Sequence, residues 1–367
     1  MIFLEFSYRK LDRFIFCCYA EKSIVGVDCE SPVDEFSSCD DLMKNSTLQI
    51  CIWILGILAF LGNLFVIIWR LIDKEENRVQ SFLLTNLAVA DMLMGVYLLT
   101  IAIMDVRWRG EYFKHDIDWR SGLGCQIVGV LSMLSSEVSV LILTIITMDR
   151  FLCIVFPFKF KHLTFNTAFF ACVVVWTFGV VISVIPIAGF DYFYDYSGHF
   201  GFYSRSAVCL PLQLSEGRPV GWEYSVAFFV GLNFISFLFI LVAYITMFWT
   251  VKRVARAVRS THLNKESAMA KRLVFIVMTD FCCWMPIIII SILSLTGNFD
   301  DPNKIAYVWI AVFVLPLNSS LNPILYTFST ERAKRSLTWK KKCVTGFVMK
   351  TINGRGRSDH SFKKLKN

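Results

Sequence analysis

The stretch LQICIWILGILAFLGNLFVIIW, Leu48–Trp69, runs through 22 positions of chain without one charged side chain. A helix rises about 1.5 Å per residue, so about 20 apolar residues cross the roughly 30 Å hydrocarbon core of a bilayer. Six further stretches read the same way: Phe82–Met104, Cys125–Ile154, Ala168–Ile187, Val226–Trp249, Leu273–Ser294 and Ile305–Thr327. The expected fold class is therefore an all-α membrane protein, a seven-transmembrane helix bundle, with the lipid bilayer as its solvent. Composition agrees, at 56% hydrophobic and only 18% charged residues. A soluble chain of this size needs more surface charge, and helices apolar on every face have no place in water.

Orientation follows from the basic residues, which are retained on the cytoplasmic side of short loops. With the N-terminus outside and the C-terminus cytoplasmic, the inner segments hold 25 of the 37 Lys and Arg and 7 of the 29 Asp and Glu. The inner face then carries +18, and the formal net charge of +8 averages two unlike faces. Such a basic face meets anionic lipid and acidic cytosolic partners rather than nucleic acid.

The twelve cysteines sort by compartment. Cys17, Cys18, Cys29 and Cys39 precede the first span, Cys125 opens the third, and Cys209 lies in the long outer loop, where disulfides persist. A Cys125–Cys209 bridge is expected, along with pairing among the four N-terminal cysteines whose connectivity stays open. Cys51, Cys153, Cys172, Cys282 and Cys283 lie in or at the edges of spans and read as small buried apolar groups. Cys343, after Lys340–Lys342, suits palmitoylation as well as it suits a plain thiol. Asn45-Ser46-Thr47 is a glycosylation sequon on the expected outer side. Asn318-Ser319-Ser320 matches the same pattern within a span and reads as chance. The first ten residues show no clean signal peptide, so the first span serves as its own insertion signal.

Polar groups within hydrocarbon are costly, and each is a functional candidate. Asp91 sits in mid-span, Asn63 follows Gly62, and Asn318 and Asn322 share one face of the seventh span at i, i+4 spacing. Asn322-Pro323-Ile324-Leu325-Tyr326 sets a helix-breaking proline beside an amide and a phenol, and Cys283-Trp284-Met285-Pro286 is a second kink signal. Asp149-Arg150-Phe151 closes the third span with a carboxylate beside a guanidinium.

In succession, these motifs resemble the rhodopsin-like class of G-protein-coupled receptors across roughly residues 47–343. Leu134-Ser135-Ser136-Glu137-Val138-Ser139-Val140, Ala243–Phe248 and Thr279-Asp280-Phe281-Cys282-Cys283-Trp284 look like the leucine-rich-repeat-containing receptors. Met104–Tyr112, Ile154–Phe158 and Phe313–Ser319 are closest to the relaxin-receptor branch. Phe151 stands where Tyr is usual, Asp280 where most of the class has Phe, and Ser236 where Pro is usual. The last two are traits of the leucine-rich-repeat family. Ala333 replaces an aromatic expected in the short helix after the seventh span.

The resemblance divides the chain into a Cys-containing, hinge-like outer segment (1–47, with Ser31–Leu42 carrying the likeness), the transmembrane domain (48–327) and a basic cytoplasmic tail (328–367). No leucine-rich repeat is visible before the first span. This suggests a truncated product or a receptor that binds its ligand differently.

The resemblance implies a plasma-membrane, multi-pass receptor that passes a peptide or protein hormone signal to a heterotrimeric G protein, with stimulatory coupling and cyclic AMP as output. The alternative is a non-signalling chain acting as a decoy or dimerisation partner of full-length relatives. The implied switch is Arg150, paired with Asp149 and reaching Glu266 at rest, then freed to meet the G protein, Tyr244 and Tyr326. Asp91, Ser139, Trp284, Asn318 and Asn322 match positions lining a sodium-sensitive polar pocket, with Asp280 hydrogen-bonded to one of the asparagines and Asn63 and Pro323 beside them. An anion in a low-dielectric core wants a cation or a proton. No enzymatic motif or cofactor-binding signature is present, and no lysine lies in the seventh span to hold retinal. The three in-span acids, Asp91, Glu137 and Asp280, do not line up as a transport path.

Overall fold

The computed structural model describes residues 8–10, 14–23, 28–30, 36–72, 77–160, 162–194, 201–211, 220–257, 278–279, 281–293, 296 and 308–329. Two compact units divide the chain, Met1–Pro323 and Ile324–Asn367, and the second is described only over its first few residues. Glu266, Asp280 and Cys343, each expected to carry a role, lie outside the described residues, as does the side chain of Tyr326.

Five helices are long and apolar enough to cross a membrane. These are α2 (Ser46–Ile72), α3 (Arg78–Arg107), α5 (Leu123–Val155), α6 (Phe165–Val184, prolonged to Ile187 by a 3-10 turn) and α7 (Trp222–Arg253). Two smaller helices, α1 (Phe14–Ser23) and α4 (Tyr112–Ser121), belong to the segments outside these spans. A shorter apolar helix, α8 (Phe281–Leu293), lies in the sixth expected span, and α9 (Leu315–Ser329), which contains Pro323, lies in the seventh. Each long helix begins or ends a few residues beyond its apolar stretch, because helices continue past the hydrocarbon until a local signal stops them. Asn77 caps α3 by accepting the Gln80 N–H at 3.2 Å, and Thr164 caps α6 by accepting the Thr167 N–H at 3.3 Å. Helix α5 stops at Phe156, the residue before Pro157, where the proline ring disfavours helical backbone.

The helices show the burial pattern of a membrane bundle. On α2, Leu48, Ile52, Leu55, Ala59, Asn63 and Val66 face inward at spacings of three and four, while Ile54, Ile57, Leu58, Leu61, Phe65 and Ile68 form an exposed apolar stripe. Phe165, Phe169, Phe170, Val173, Val174, Val180 and Val181 do the same on α6. Stripes of this size on a water-soluble monomer would be aggregation sites, whereas in lipid they are the solvated face. Helix α3 packs on α2 and α5, and α5 packs on α6 and α7. At Gly95 the backbones of α2 and α3 come so close that a Cβ would sit 2.5 Å from the Phe60 nitrogen, so only glycine fits.

One end of the bundle is closed by chain from outside the spans. A two-stranded parallel pair, β1 (Tyr8–Lys10) with β2 (Asp28–Glu30), flanks α1. Its neighbour Cys18 is joined to Cys39 by a disulfide, and Cys17 is also disulfide-bonded. This resolves one pairing that the sequence left open. Phe36, Leu42 and Met43 are buried against Tyr97, Tyr112 and Trp119. The Met43 N–H donates to the Asp105 carboxylate at 2.9 Å, and the N–H groups of Tyr112 and Phe113 donate to the carbonyls of Asp40 and Cys39.

The loop carrying Cys209 plugs the same end. Its bridge to Cys125 fastens it to the start of α5. Tyr97 Oη donates to the Val208 carbonyl and Trp119 Nε1 to the Ala207 carbonyl, each at 2.8 Å. Tyr203 Oη donates to the Ser183 carbonyl at 2.8 Å, and burial pushes this phenol well above its ordinary range, so it stays a donor. Cys209 takes a left-handed φ of 56°, a cost of about 1–2 kcal/mol that the surrounding turn and bridge hold in place.

Candidate functional site

The inward polar residues converge on Asp91. Its carboxylate, wholly buried on α3, accepts three hydrogen bonds: Ser139 Oγ of α5 at 2.7 Å and Ser319 Oγ of α9 at 3.0 Å on Oδ1, and Asn322 Nδ2 of α9 at 2.8 Å on Oδ2. Asn322 Nδ2 also donates to Asn318 Oδ1 at 3.0 Å, using the shared helix face. Asn63 Nδ2 of α2 donates to its own Ala59 carbonyl at 2.8 Å and to the Ser319 carbonyl at 3.0 Å. Three helices thus meet at one carboxylate, and α2 joins them through the Ser319 carbonyl. Gly62 allows the approach of α9, since a Cβ there would sit 3.0 Å from the Pro323 ring.

The donor set suits a small hard cation. Among the described residues no Lys or Arg pairs with Asp91, and the buried Oδ1 atoms of Asn63 and Asn322 have no hydrogen-bond partner. Carboxylate, amide and hydroxyl oxygens around one buried negative charge are the ligands that alkali and alkaline-earth ions take.

Trp284 does not share in these hydrogen bonds. It is buried with its ring 5.4 Å from that of Phe229 and 5.8 Å from that of Phe237, an aromatic contact rather than a polar one. The family resemblance grouped it with the polar pocket, and the contacts its ring makes here are with two phenylalanines of α7.

A second polar pair lies nearer the plugged end. Glu137 Oε1 of α5 accepts Asn233 Nδ2 of α7 at 3.0 Å, and both residues are completely buried. The same Nδ2 donates to the Phe229 carbonyl at 2.9 Å. Phe229 lies in Val226–Leu232, a π-helical segment where the backbone carries one extra residue in the turn. Asn233 therefore stabilises the widened turn and links it to α5, at a helix that has Ser236 rather than proline downstream.

At the far end of α5, Arg150 is buried and held twice. Its Nη2 donates to Gln80 Oε1 of α3 at 2.8 Å, and its Nε lies 3.7 Å from Asp149 Oδ2. Asp149 in turn accepts the Leu163 N–H at 2.9 Å. Phe151, standing where tyrosine is usual, packs its ring edgewise on Phe239 of α7 at 6.4 Å. Tyr244 lies further along α7 and is half-buried. Asn45 is exposed at the start of α2, open to modification.

Ser319, Gln80 and Asn233 were not singled out by sequence. Ser319 carried a readable signal, lying one turn before Asn322 on the same face. Gln80 carried none, because a glutamine in the first turn of a helix is ordinary.

A bundle of lipid-facing helices around a buried carboxylate, with a disulfide-tethered plug at one end and a restrained arginine at the other, is the architecture of a membrane receptor. The chain belongs to the 7 transmembrane receptor (rhodopsin family), whose model matches residues 62–326. It is 45% identical over 358 residues to the G-protein coupled receptor GRL101 of Lymnaea stagnalis, covering 96% of this chain and 30% of that protein. It is 38% identical to human relaxin receptor 2 and 35% identical to human relaxin receptor 1, in each case over 90% of this chain and 43% of the relative. The chain thus spans less than half the length of the curated relatives it matches.

Proposed function

We propose that this chain is the seven-span signalling module of a hormone-type receptor in the plasma membrane, with its N-terminus outside, coupling a peptide or protein hormone to a heterotrimeric G protein. Stimulatory coupling with cyclic AMP output is the preferred branch of this reading. The observation that carries it is the Asp91 network. A buried carboxylate shared by α3, α5 and α9 is costly in hydrocarbon, and its partners among the described residues lie on other helices than its own. Such a node has two stable settings, occupied by a cation or by a proton or rearranged donors, and a shift in helix packing changes which is favoured.

The other end supports the same reading. Arg150 is held by Gln80 and Asp149 rather than by solvent, which suits a resting switch that a partner releases. Asp91, with Ser139, Ser319, Asn318, Asn322 and Asn63, would hold a sodium ion. When bound, that ion supplies countercharge that stabilises one packing. Glu266 and Tyr326 are proposed to join the switch, and Asp280 the polar core.

The hormone is read at the plugged end. The cavity beneath the plug, lined by Met94, Tyr97, Ser132, Ser136, Leu210, Pro211, Phe229 and Pro316, leaves about 10 Å³ for the centre of a water-sized molecule. That is room for about one water. The hinge-like segment 36–43 instead contacts α3 and α4 directly, through Met43 to Asp105 and Asp40 to Tyr112, which gives an external pull a route to the helices.

The test is cyclic AMP accumulation in cells expressing the chain, at matched surface level, alone and fused to a hormone-binding ectodomain of the relaxin-receptor type. Basal or hormone-driven accumulation lost in Arg150→Ala supports the reading. Surface expression with no G-protein response in either form favours the decoy or dimerisation role.

A further inference from the structure

Three metal-ligating side chains meet at the Arg150 end of α5: Asp149, Cys153 and His162. We propose that they form a zinc site that staples the segment joining α5 and α6 to the end of α5. The site does not depend on the signalling role proposed above.

The geometry is close to that of a tetrahedral ion. Cys153 Sγ lies 3.2 Å from His162 Nδ1, and His162 Nδ1 lies 3.3 Å from Asp149 Oδ2. All three ligand atoms fall within 4.8 Å of one another. Zinc at about 2.3 Å from sulfur and about 2.0–2.2 Å from nitrogen and oxygen sets its ligand atoms roughly 3.4–3.6 Å apart at tetrahedral angles. The two edges at His162 Nδ1, 3.2 and 3.3 Å, lie within a few tenths of an ångström of that spacing.

The chain around the site preorganises the ligands. Asp149 and Cys153 are four residues apart on α5 and so share a helix face. After Pro157 the backbone folds back, with the N–H groups of Lys159 and Phe160 both donating to the Phe156 carbonyl. Leu163 N–H then occupies Asp149 Oδ1 at 2.9 Å, which leaves Oδ2 for His162. Thr164 caps α6 directly after, so the histidine sits on a segment fixed at both ends.

In a neutral imidazole Nδ1 either accepts from the Cys153 thiol or donates to the Asp149 carboxylate, whereas an ion at the centre takes a lone pair from all three atoms. One nitrogen and one sulfur ligand select zinc over calcium or magnesium, which take oxygen. Cys153 is not disulfide-bonded, and on binding its thiol would lose a proton to solvent while the imidazole stays neutral. The His162 side chain is 42% exposed, which provides an entry path and a fourth position for water. Arg150 Nε, 3.7 Å from the same Oδ2, is the Lys or Arg group paired with it among the described residues. It is anchored through Nη2 to Gln80, and a metal would take its place on Asp149.

Cobalt(II) reports the site through sulfur-to-metal charge-transfer absorption in the purified chain of 367 residues, reduced under mild conditions that spare the outer disulfides. One equivalent is expected to produce the band, zinc to abolish it, and Cys153→Ser and His162→Ala each to lose it while eluting as the same monodisperse peak. A band retained in Cys153→Ser, or no zinc-displaceable band in the unaltered chain, overturns the site. Should the variants fail to fold, alkylation of Cys153 in the unaltered chain, followed by peptide mass spectrometry, decides the matter. Zinc is expected to block it, and alkylation unchanged by zinc overturns the proposal.

Discussion

Asn322 and Asp91, 231 residues apart in the chain, meet at 2.8 Å in the centre of the bundle, and this contact ties the proline-containing helix to α3. Replacing the carboxylate with Asp91→Asn turns an acceptor of three donors into a group that must itself donate. Hydrogen bonds to a charged group contribute about 1.5–3 kcal/mol each, so even one lost is worth tenfold or more in a two-state balance. Surface delivery should persist while the G-protein response falls at least about tenfold. Full retention of the response, with surface level checked by labelling of intact cells, refutes this role for Asp91.

Gln80→Ala removes the hydrogen bond that holds the Arg150 guanidinium against α3. Basal cyclic AMP accumulation should rise several-fold, and Glu266→Ala should act in the same direction if that carboxylate completes the restraint. Unchanged basal activity at equal surface expression counts against a resting lock.

The Cys125–Cys209 bridge closes a segment with a sequence separation of 84. Chain-entropy estimates for such a loop reach about 4–5 kcal/mol, an upper bound here because the spans stay helical within the bilayer. Cys209→Ser should lower the thermal stability of the purified chain and reduce its surface level. A melting temperature equal to that of the unaltered chain would show that the hydrogen bonds to Val208 and Ala207 hold the plug unaided.

Asn233→Leu strands the Glu137 carboxyl in an apolar interior and uncaps the Phe229 carbonyl of the π-helical turn. The expected cost is about 1–3 kcal/mol. The double variant Glu137→Leu with Asn233→Leu should recover part of it, since the uncompensated polar group is then gone. Thermal unfolding of the unaltered chain, each single variant and the double variant in one detergent gives the coupling directly, and strict additivity would mean that the two side chains act separately.

Asn45→Gln should abolish a glycosidase-sensitive mobility shift in protein made by mammalian cells. No shift in the unaltered chain would contradict an outer N-terminus.

Much of this molecule was legible before any coordinates. Helix α2 is an apolar run from Leu48 to Trp69 whether or not its neighbours are known, because lipid demands that every backbone group be satisfied within the helix. Asp91, Asn63, Asn318 and Asn322 announced themselves by being polar where polarity is expensive, and Asp149-Arg150 by its place at the end of a span. These are local properties, carried by residue type and spacing. Which of them touch is another matter. Trp284 was grouped with the polar residues by resemblance alone, and its ring contacts with Phe229 and Phe237 could not be read from the chain. Ser319 lay within a sequence read as a chance sequon, and Gln80 looked like any helix-start glutamine. His162, one of five histidines, belongs to no motif in the sequence, and only the turn after Pro157 brings it to Cys153 and Asp149. The sequence by itself determined that this chain is a bundle of membrane helices with a polar interior. Only the tertiary structure decided the partners of each buried group, because a hydrogen bond or a metal ligand set depends on distances between helices, and those are set by packing contacts far apart in the chain.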